Sequence, residues 1–155
     1  MKKGSFIALL MVLSSIQNST AQKASDSLQV VNTMKELFAI CRSVDFNDPK
    51  TKSLGTFYKA APYIVYSGDD QKRTWKDFTN YNNTEEKKVV DQTCLRINEM
   101  FNAEGSYQVV RYYYRREAEG IWHVLLVTYK KKDIVRRATF AFFQIGNRYG
   151  LGDIN

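Results

Sequence analysis

The stretch YQVVRYYYRREAEGIWHVLLVTYKKKDIVRRATFAFFQIGNRYGL, residues 107–151, decides the fold of this chain. It divides into three runs rich in β-branched and aromatic residues, Tyr107 to Glu117, Ile121 to Lys130 and Ile134 to Gln144, with a short fourth from Arg148 to Leu151. Such side chains fit a pleated, half-buried surface. Glu119 with Gly120, Lys131 to Asp133, and Gly146 with Asn147 supply turn residues between the runs, so an antiparallel meander is expected.

Pairing the strands through those turns sorts the side chains onto two faces. With Ala118 opposite Ile121, Tyr114 lies beside Leu125, Tyr112 beside Val127 and Val110 beside Tyr129. The next hairpin sets Ala138 beside Leu125, Phe140 beside His123 and Phe142 beside Ile121. One face then carries Val110, Tyr112, Tyr114, His123, Leu125, Val127, Tyr129, Ala138, Phe140 and Phe142, and its apolar character assigns it to the protein interior. The other carries Arg111, Tyr113, Arg115, Trp122, Val124, Leu126, Thr128, Arg137, Thr139 and Phe143. Trp122, Val124 and Leu126 are too apolar for a wholly solvated surface, so this face either meets a partner or is covered by long arginine stems. A one-residue slip of either pairing would mix the faces; a two-residue slip would not.

Upstream of Gly105 the periodicity changes from strand to helix. Leu28, Val31, Met34, Leu37 or Phe38, and Cys41 recur at spacings of three and four, which predicts a helix from Ser25 to Cys41 capped by Asp26 or Ser25. Asp48 followed by Pro49 opens a second helix toward Tyr58, with Leu54, Phe57 and Tyr58 inward and Pro62 ending it. Tyr63 to Tyr66 reads as a short strand, and Trp75 to Phe78 as a turn or short helix. Asn83 with Glu86 three residues later is a capping-box variant, and Val89 or Val90, Thr93, Cys94, Ile97, Met100 and Phe101 continue a third helix to about Ala103. The whole is α+β, three N-terminal helices packed on a curved, mostly antiparallel sheet.

The N-terminus gives an address. Lys2 and Lys3 precede an apolar run from Phe6 to Leu13, and the stretch closes on Ser19, Thr20 and Ala21, the layout of a secretory signal peptide over residues 1–21. The run is shorter than the ~20 apolar residues of a membrane span, so the exported chain, periplasmic or extracellular, is expected to have no membrane partner after cleavage. Cleavage after Ala21 would leave residues 22–155 as one domain. Removing Lys2 and Lys3 lowers the formal charge from +7 to +5. Basic residues are spread through every segment, and the tightest group, Lys130, Lys131 and Lys132 with Arg136 and Arg137, sits at a strand turn; no nucleic-acid partner is expected.

Cys41 and Cys94 lie in the apolar stripes of two predicted helices, where they serve either as small buried hydrophobes or as one disulfide with Cα atoms within ~7 Å. Two cysteines and one histidine without ligand spacing give no metal site, and no cofactor is expected.

The order of two helices, a short strand, a third helix and a meander resembles the nuclear transport factor 2-like superfamily, a cystatin-like roll. The aromatic-rich meander and the closing stretch Phe140-Ala-Phe-Phe-Gln-Ile-Gly-Asn-Arg-Tyr-Gly-Leu-Gly-Asp-Ile carry the likeness, which is to small secreted members of unknown function and covers Ser25 to the end of the chain. The resemblance implies a bent sheet around a conical pocket and face-to-face homodimerisation through Trp122, Val124 and Leu126. On that view Tyr112, Tyr114, His123, Leu125, Val127 and Phe140 are the candidates to line a pocket for a small apolar or aromatic ligand. The fold hosts isomerases and dehydratases as well as modules without chemistry. Steroid-isomerase-like members use a tyrosine, a protonated acid and a proton-carrying aspartate. The pocket-facing positions here contain no Asp or Glu, so no catalytic residue is assigned. Three functions follow: a noncatalytic ligand-binding module, the reading favoured by the sequence; an isomerase- or dehydratase-like enzyme using His123 with Tyr112 or Tyr114; and a structural or interaction protein whose cone is filled by its own side chains.

Overall fold

A computed structural model describes residues 5–43, 56–66, 76–101 and 105–155, with side chains from Gln22 onward in the first segment. Among these residues the chain is α+β, with three helices, a four-stranded antiparallel sheet and a two-stranded one. Helix α1 (Ser5–Arg42) leads to a 3₁₀ helix (Thr56–Tyr63) and strand β1 (Val65–Tyr66). Strand β2 (Asp77–Phe78) and helix α2 (Thr84–Phe101) follow, and then the meander of β3 (Tyr107–Glu117), β4 (Gly120–Lys131), β5 (Ile134–Ile145) and β6 (Arg148–Ile154). The strands lie in chain order, β3-β4-β5-β6.

In α1 the buried row is Val30, Met34, Leu37, Phe38 and Cys41, one stripe of a 3.6-residue period. The stripe is rotated from the expected one: Leu28 is exposed, Val30 takes the inner position, and Leu37 and Phe38 are both buried. Because α1 runs on upstream, Asp26 is an interior helical residue, and its carboxylate accepts from the Tyr149 hydroxyl at 3.0 Å instead of capping.

The expected helix start at Asp48 and Pro49, with Leu54, lies outside the described residues. The 3₁₀ helix that follows runs through Pro62 instead of ending there; Ala60 and Ala61 within it and Ile64 just after it are buried, while Tyr58 is exposed, contrary to expectation. Residues 77–78 form a strand paired with β1, not a turn or helix.

The cap of α2 follows the sequence. Asn83 Oδ1 accepts from the backbone amides of Glu85 at 3.0 Å and Glu86 at 3.3 Å. Glu86, buried, reaches back past the cap to the amide of Asn80 at 2.6 Å, tying the incoming chain to the helix. Val90, Cys94, Ile97 and Phe101 then face α1 and the sheet. Of the two roles open to the cysteines, the structure forms the disulfide: Cys41 and Cys94 are bridged with Cα atoms 4.7 Å apart across a sequence separation of 53.

Both long hairpins pair two residues away from the expected register. The first turns at Ala118–Glu119, so Glu117 faces Gly120, Tyr114 faces His123 and Tyr112 faces Leu125. Gly120 becomes the first strand residue at φ +148°, a conformation that L side chains rarely adopt. The second turns at Lys132 and Asp133, whose φ values of 49° and 61° suit a type I′ turn, and sets Phe140 beside Leu125. An even slip preserves the faces, and Leu125, Val127, Ala138, Phe140 and Phe142 do enter the main core.

The faces differ from expectation only at the start of β3. A bulge between Val109 and Arg111 inserts one unpaired residue, so Tyr107 and Val109 pack toward the core and Val110 points outward, 47% exposed. Tyr114, near the far end of the strand, is also exposed, beyond the edge of the helical cover.

The other side of the sheet carries a second core. Trp122, Val124, Ala141 and Phe143 pack with Val65, and Phe78 closes over them. Glycine permits that approach: a Cβ on Gly150 would come within 2.5 Å of Val65 and one on Gly152 within 2.7 Å of Trp122. The Lys76 ammonium lies 4.3 Å from the Trp122 ring centroid and pairs with Glu119, which also accepts from Trp122 Nε1 at 3.0 Å. Cover of Trp122, Val124 and Phe143 comes from β1, β2 and a lysine, and the Arg148 guanidinium lies 4.2 Å from the Phe78 ring centroid.

Candidate functional site

The expected pocket residues converge, but on packed interior. Leu125, Val127 and Phe140 are fully buried beneath Phe38 and Phe101, whose rings stand 4.7 Å apart, with Phe140 5.1 Å from Phe38. These three, which the sequence placed around an opening, instead make the centre of the core, whereas Tyr114 is exposed. His123 is 1% exposed.

The polar atoms beside this core form a closed set. His123 Nδ1 lies 2.8 Å from the Tyr112 hydroxyl, and Nε2 lies 3.0 Å from Gln144 Oε1. Gln144 Nε2 donates to the Gly146 carbonyl at 3.2 Å, which leaves its oxygen facing the imidazole. That oxygen requires a proton on Nε2, so Nδ1 accepts from Tyr112. Tyr149 packs edge-on to the imidazole at 4.8 Å and donates to Asp26, while Tyr112 and Tyr114 flank the same ring at 6.0 and 6.3 Å.

Two tyrosines feel this environment. Burial, with the negative charge of Asp26 and the neighbouring Tyr114, pushes the Tyr112 phenol up to about 12. Burial, reinforced by the bond to Asp26, pushes Tyr149 up as well. Both phenols are thus held as donors at ordinary pH. Asp26, Gln144 and Tyr149 were not among the residues picked from the sequence. Gln144 and Tyr149 are cross-strand partners, a relation visible once the Gly146 turn is placed, whereas Asp26 comes from a helix far away in the chain.

Chemically the cluster has little freedom. Both imidazole nitrogens are engaged, and Asp26 reaches the set through the Tyr149 ring rather than by a bond to His123. General-base work would require breaking one of those bonds in a site closed to solvent. Among the described residues no group of three or more His, Cys, Asp or Glu is placed to hold a metal ion. Nor, among them, is any helix long and apolar enough to cross a membrane.

Open space lies elsewhere. A cleft of about 520 Å³ between α1, the 3₁₀ helix and the β5–β6 turn is lined by Thr33, Glu36, Lys59, Tyr63, Arg148 and Tyr149 among others. A second, of about 310 Å³, runs between α2 and β6 past Val89, Arg96, Leu151 and Asp153. A third, about 260 Å³, is a dip at the start of β3 bounded by Tyr107, Gln108, Lys130 and Val135. None of these three is lined by Tyr112, Tyr114, His123, Leu125, Val127 or Phe140.

Comparison of the chain with protein-family models, with curated proteins and with solved structures gives no match.

Proposed function

We propose that this chain is an exported, noncatalytic interaction module of the cystatin-like roll type, related to the nuclear transport factor 2-like superfamily, whose interior is occupied by its own side chains. The filled interior is the observation that carries this reading. Phe38, Phe101, Leu125 and Phe140 meet where a ligand cone would open, all between 0 and 1% exposed. Side chains closed on one another in this way leave a small molecule nothing to displace but protein. The reading therefore departs from the ligand-filled cone that the sequence favours and adopts its structural alternative.

The saturated hydrogen bonding of His123 argues against the enzyme alternative, since its two partners are a phenol and an amide rather than a carboxylate. The disulfide is compatible with export, because such bonds persist in oxidising compartments. Dimerisation through the outer face would have to use what remains open there, since Trp122 and Val124 are buried within the chain.

Titration calorimetry with a medium-chain fatty acid and with a small aromatic probe tests the reading. No stoichiometric uptake is expected from the native chain, and Leu125→Trp, which inserts bulk into a packed site, is expected to cost about 1–3 kcal/mol of stability. Saturable uptake that Leu125→Trp abolishes without loss of stability would restore the ligand-filled cone.

A further inference from the structure

The two edges of the main sheet are unlike. At β6 a parallel bridge joins Leu151 to Ile64, and β1 packs against the strand. At β3 the sheet ends: among the described residues this eleven-residue strand pairs only with β4. An uncovered edge strand presents a row of unpaired amides and carbonyls, ready to pair with another extended chain.

The side chains on this edge add sequence preference to the backbone row. Beyond the bulge, the outer face of β3 presents Arg111, Tyr113 and Arg115, and the inner face presents Tyr112, Tyr114 and Arg116. Val110, Tyr113 and Tyr114 are all exposed. Among the described residues only Arg115 of these arginines has an ion-pair partner, Glu117 at 2.8 Å. Lys130 and Arg137 continue the positive charge across the same outer face on β4 and β5. Arginine alone would suffice to discourage unwanted pairing. Exposed valine and tyrosine beside it do the opposite, since they offer apolar contact to an incoming strand.

Resting on the interaction-module reading, we infer that the β3 edge binds an extended acidic peptide segment by strand addition, its backbone continuing the sheet and its alternate carboxylates meeting Arg111 and Arg115. Main-chain bonds give such a complex its affinity, and the alternating side chains give it selectivity. The intervening peptide residues would lie beside Tyr112 and Tyr114, which favours apolar or aromatic side chains there. A second copy of this chain is a poor occupant: strand β3 against itself would bring both sets of arginines onto one ribbon, with only Glu117 of each to offset them.

Fluorescence anisotropy with the purified chain, its disulfide intact, provides the test. The probe is a dye-labelled peptide of about ten residues alternating glutamate and valine, the length of a long strand. It is expected to bind, to weaken as salt rises, and to lose at least about tenfold in affinity when Arg111→Glu and Arg115→Glu are combined. The same peptide N-methylated on alternate amides keeps its charge but loses one row of donors, and is expected to bind at least about tenfold more weakly. Circular dichroism melting confirms that the exposed substitutions leave the fold intact. Equal binding of the N-methylated peptide, equal binding of a lysine–valine counterpart, or an unaffected double variant would each overturn the inference. So would tighter competition by a sulfated polysaccharide or an oligonucleotide, which would assign the arginines to another polyanion, or a sedimenting dimer that the peptide disrupts. Failure at the edge with no apolar-probe uptake overturns this inference alone; uptake into the interior overturns the module reading instead.

Discussion

The two faces of one sheet are built on the same strands yet stabilised by different means. On the inner face, two long helices press large side chains onto Leu125, Val127 and Phe140, and the cover is locked by the Cys41–Cys94 bridge. On the outer face, two two-residue strands and a lysine cover Trp122, Val124 and Phe143. Thick cover comes from periodic helical sequence; thin cover depends on glycines that let backbone and ring approach. Where neither reaches, at β3, the same kind of strand has, among the described residues, no partner on its outer edge, and its tyrosines Tyr113 and Tyr114 are exposed.

Truncation in the two cores should separate them most clearly. Phe140→Ala removes a ring from the centre of the inner core and is expected to lower stability by about 3–5 kcal/mol, read from urea midpoints. Phe143→Ala under the thinner cover is expected to fall at the low end of that range, about 3 kcal/mol, because β1 and β2 can settle into the space. Equal losses would erase the distinction. Next in size is the bridge: Cys41→Ala with Cys94→Ala is expected to cost about 2–4 kcal/mol by freeing a long loop in the unfolded chain. Measuring the same double change in dithiothreitol, where the parent also loses its bridge, should collapse most of the difference.

Gly152→Ala probes the outer cover from the other side. Its Cβ would stand 2.7 Å from Trp122, so the indole must shift, and a loss of about 1–3 kcal/mol is expected together with a changed tryptophan fluorescence. The smallest effect is a pH dependence. The Tyr112 phenol, pushed up to about 12 from 10.0, binds its proton more tightly folded than unfolded. Its contribution is thus fully present below pH 10 and fades as pH rises toward 12. Tyr81, half-buried and donating to Asp91, is pushed up to about 12 and behaves alike. Urea midpoints between pH 9 and pH 11.5 should fall less steeply for Tyr112→Phe than for the parent; an unchanged slope would remove burial of the inner polar cluster as a source of alkaline sensitivity.

The local signals that held are those with a short-range cause. Asn83 caps α2 because its side chain reaches amides two and three residues on, a geometry written entirely in adjacent sequence. The face of Leu125, Val127 and Phe140 survived two register errors because side-chain direction in a strand repeats every two residues. What failed was decided at longer range. The bulge at Val110 left no turn residue or proline to mark it, and it reversed the start of β3. The Asp26 carboxylate lay too far from Tyr149 in sequence for pattern to connect them. Whether Leu125, Val127 and Phe140 surround a hole or fill it depends on Phe38 and Phe101 reaching in from two helices.

By itself, then, the sequence determined the α+β class, the meander and the inward set of its strands, because periodicity, turns and caps act over a few residues. Only the tertiary structure decided the disulfide, the closed interior, the cover over Trp122 and, among the described residues, the unpaired edge at β3. Each of those depends on which distant surfaces meet and how completely they fill the space between them, and no local pattern encodes a distance.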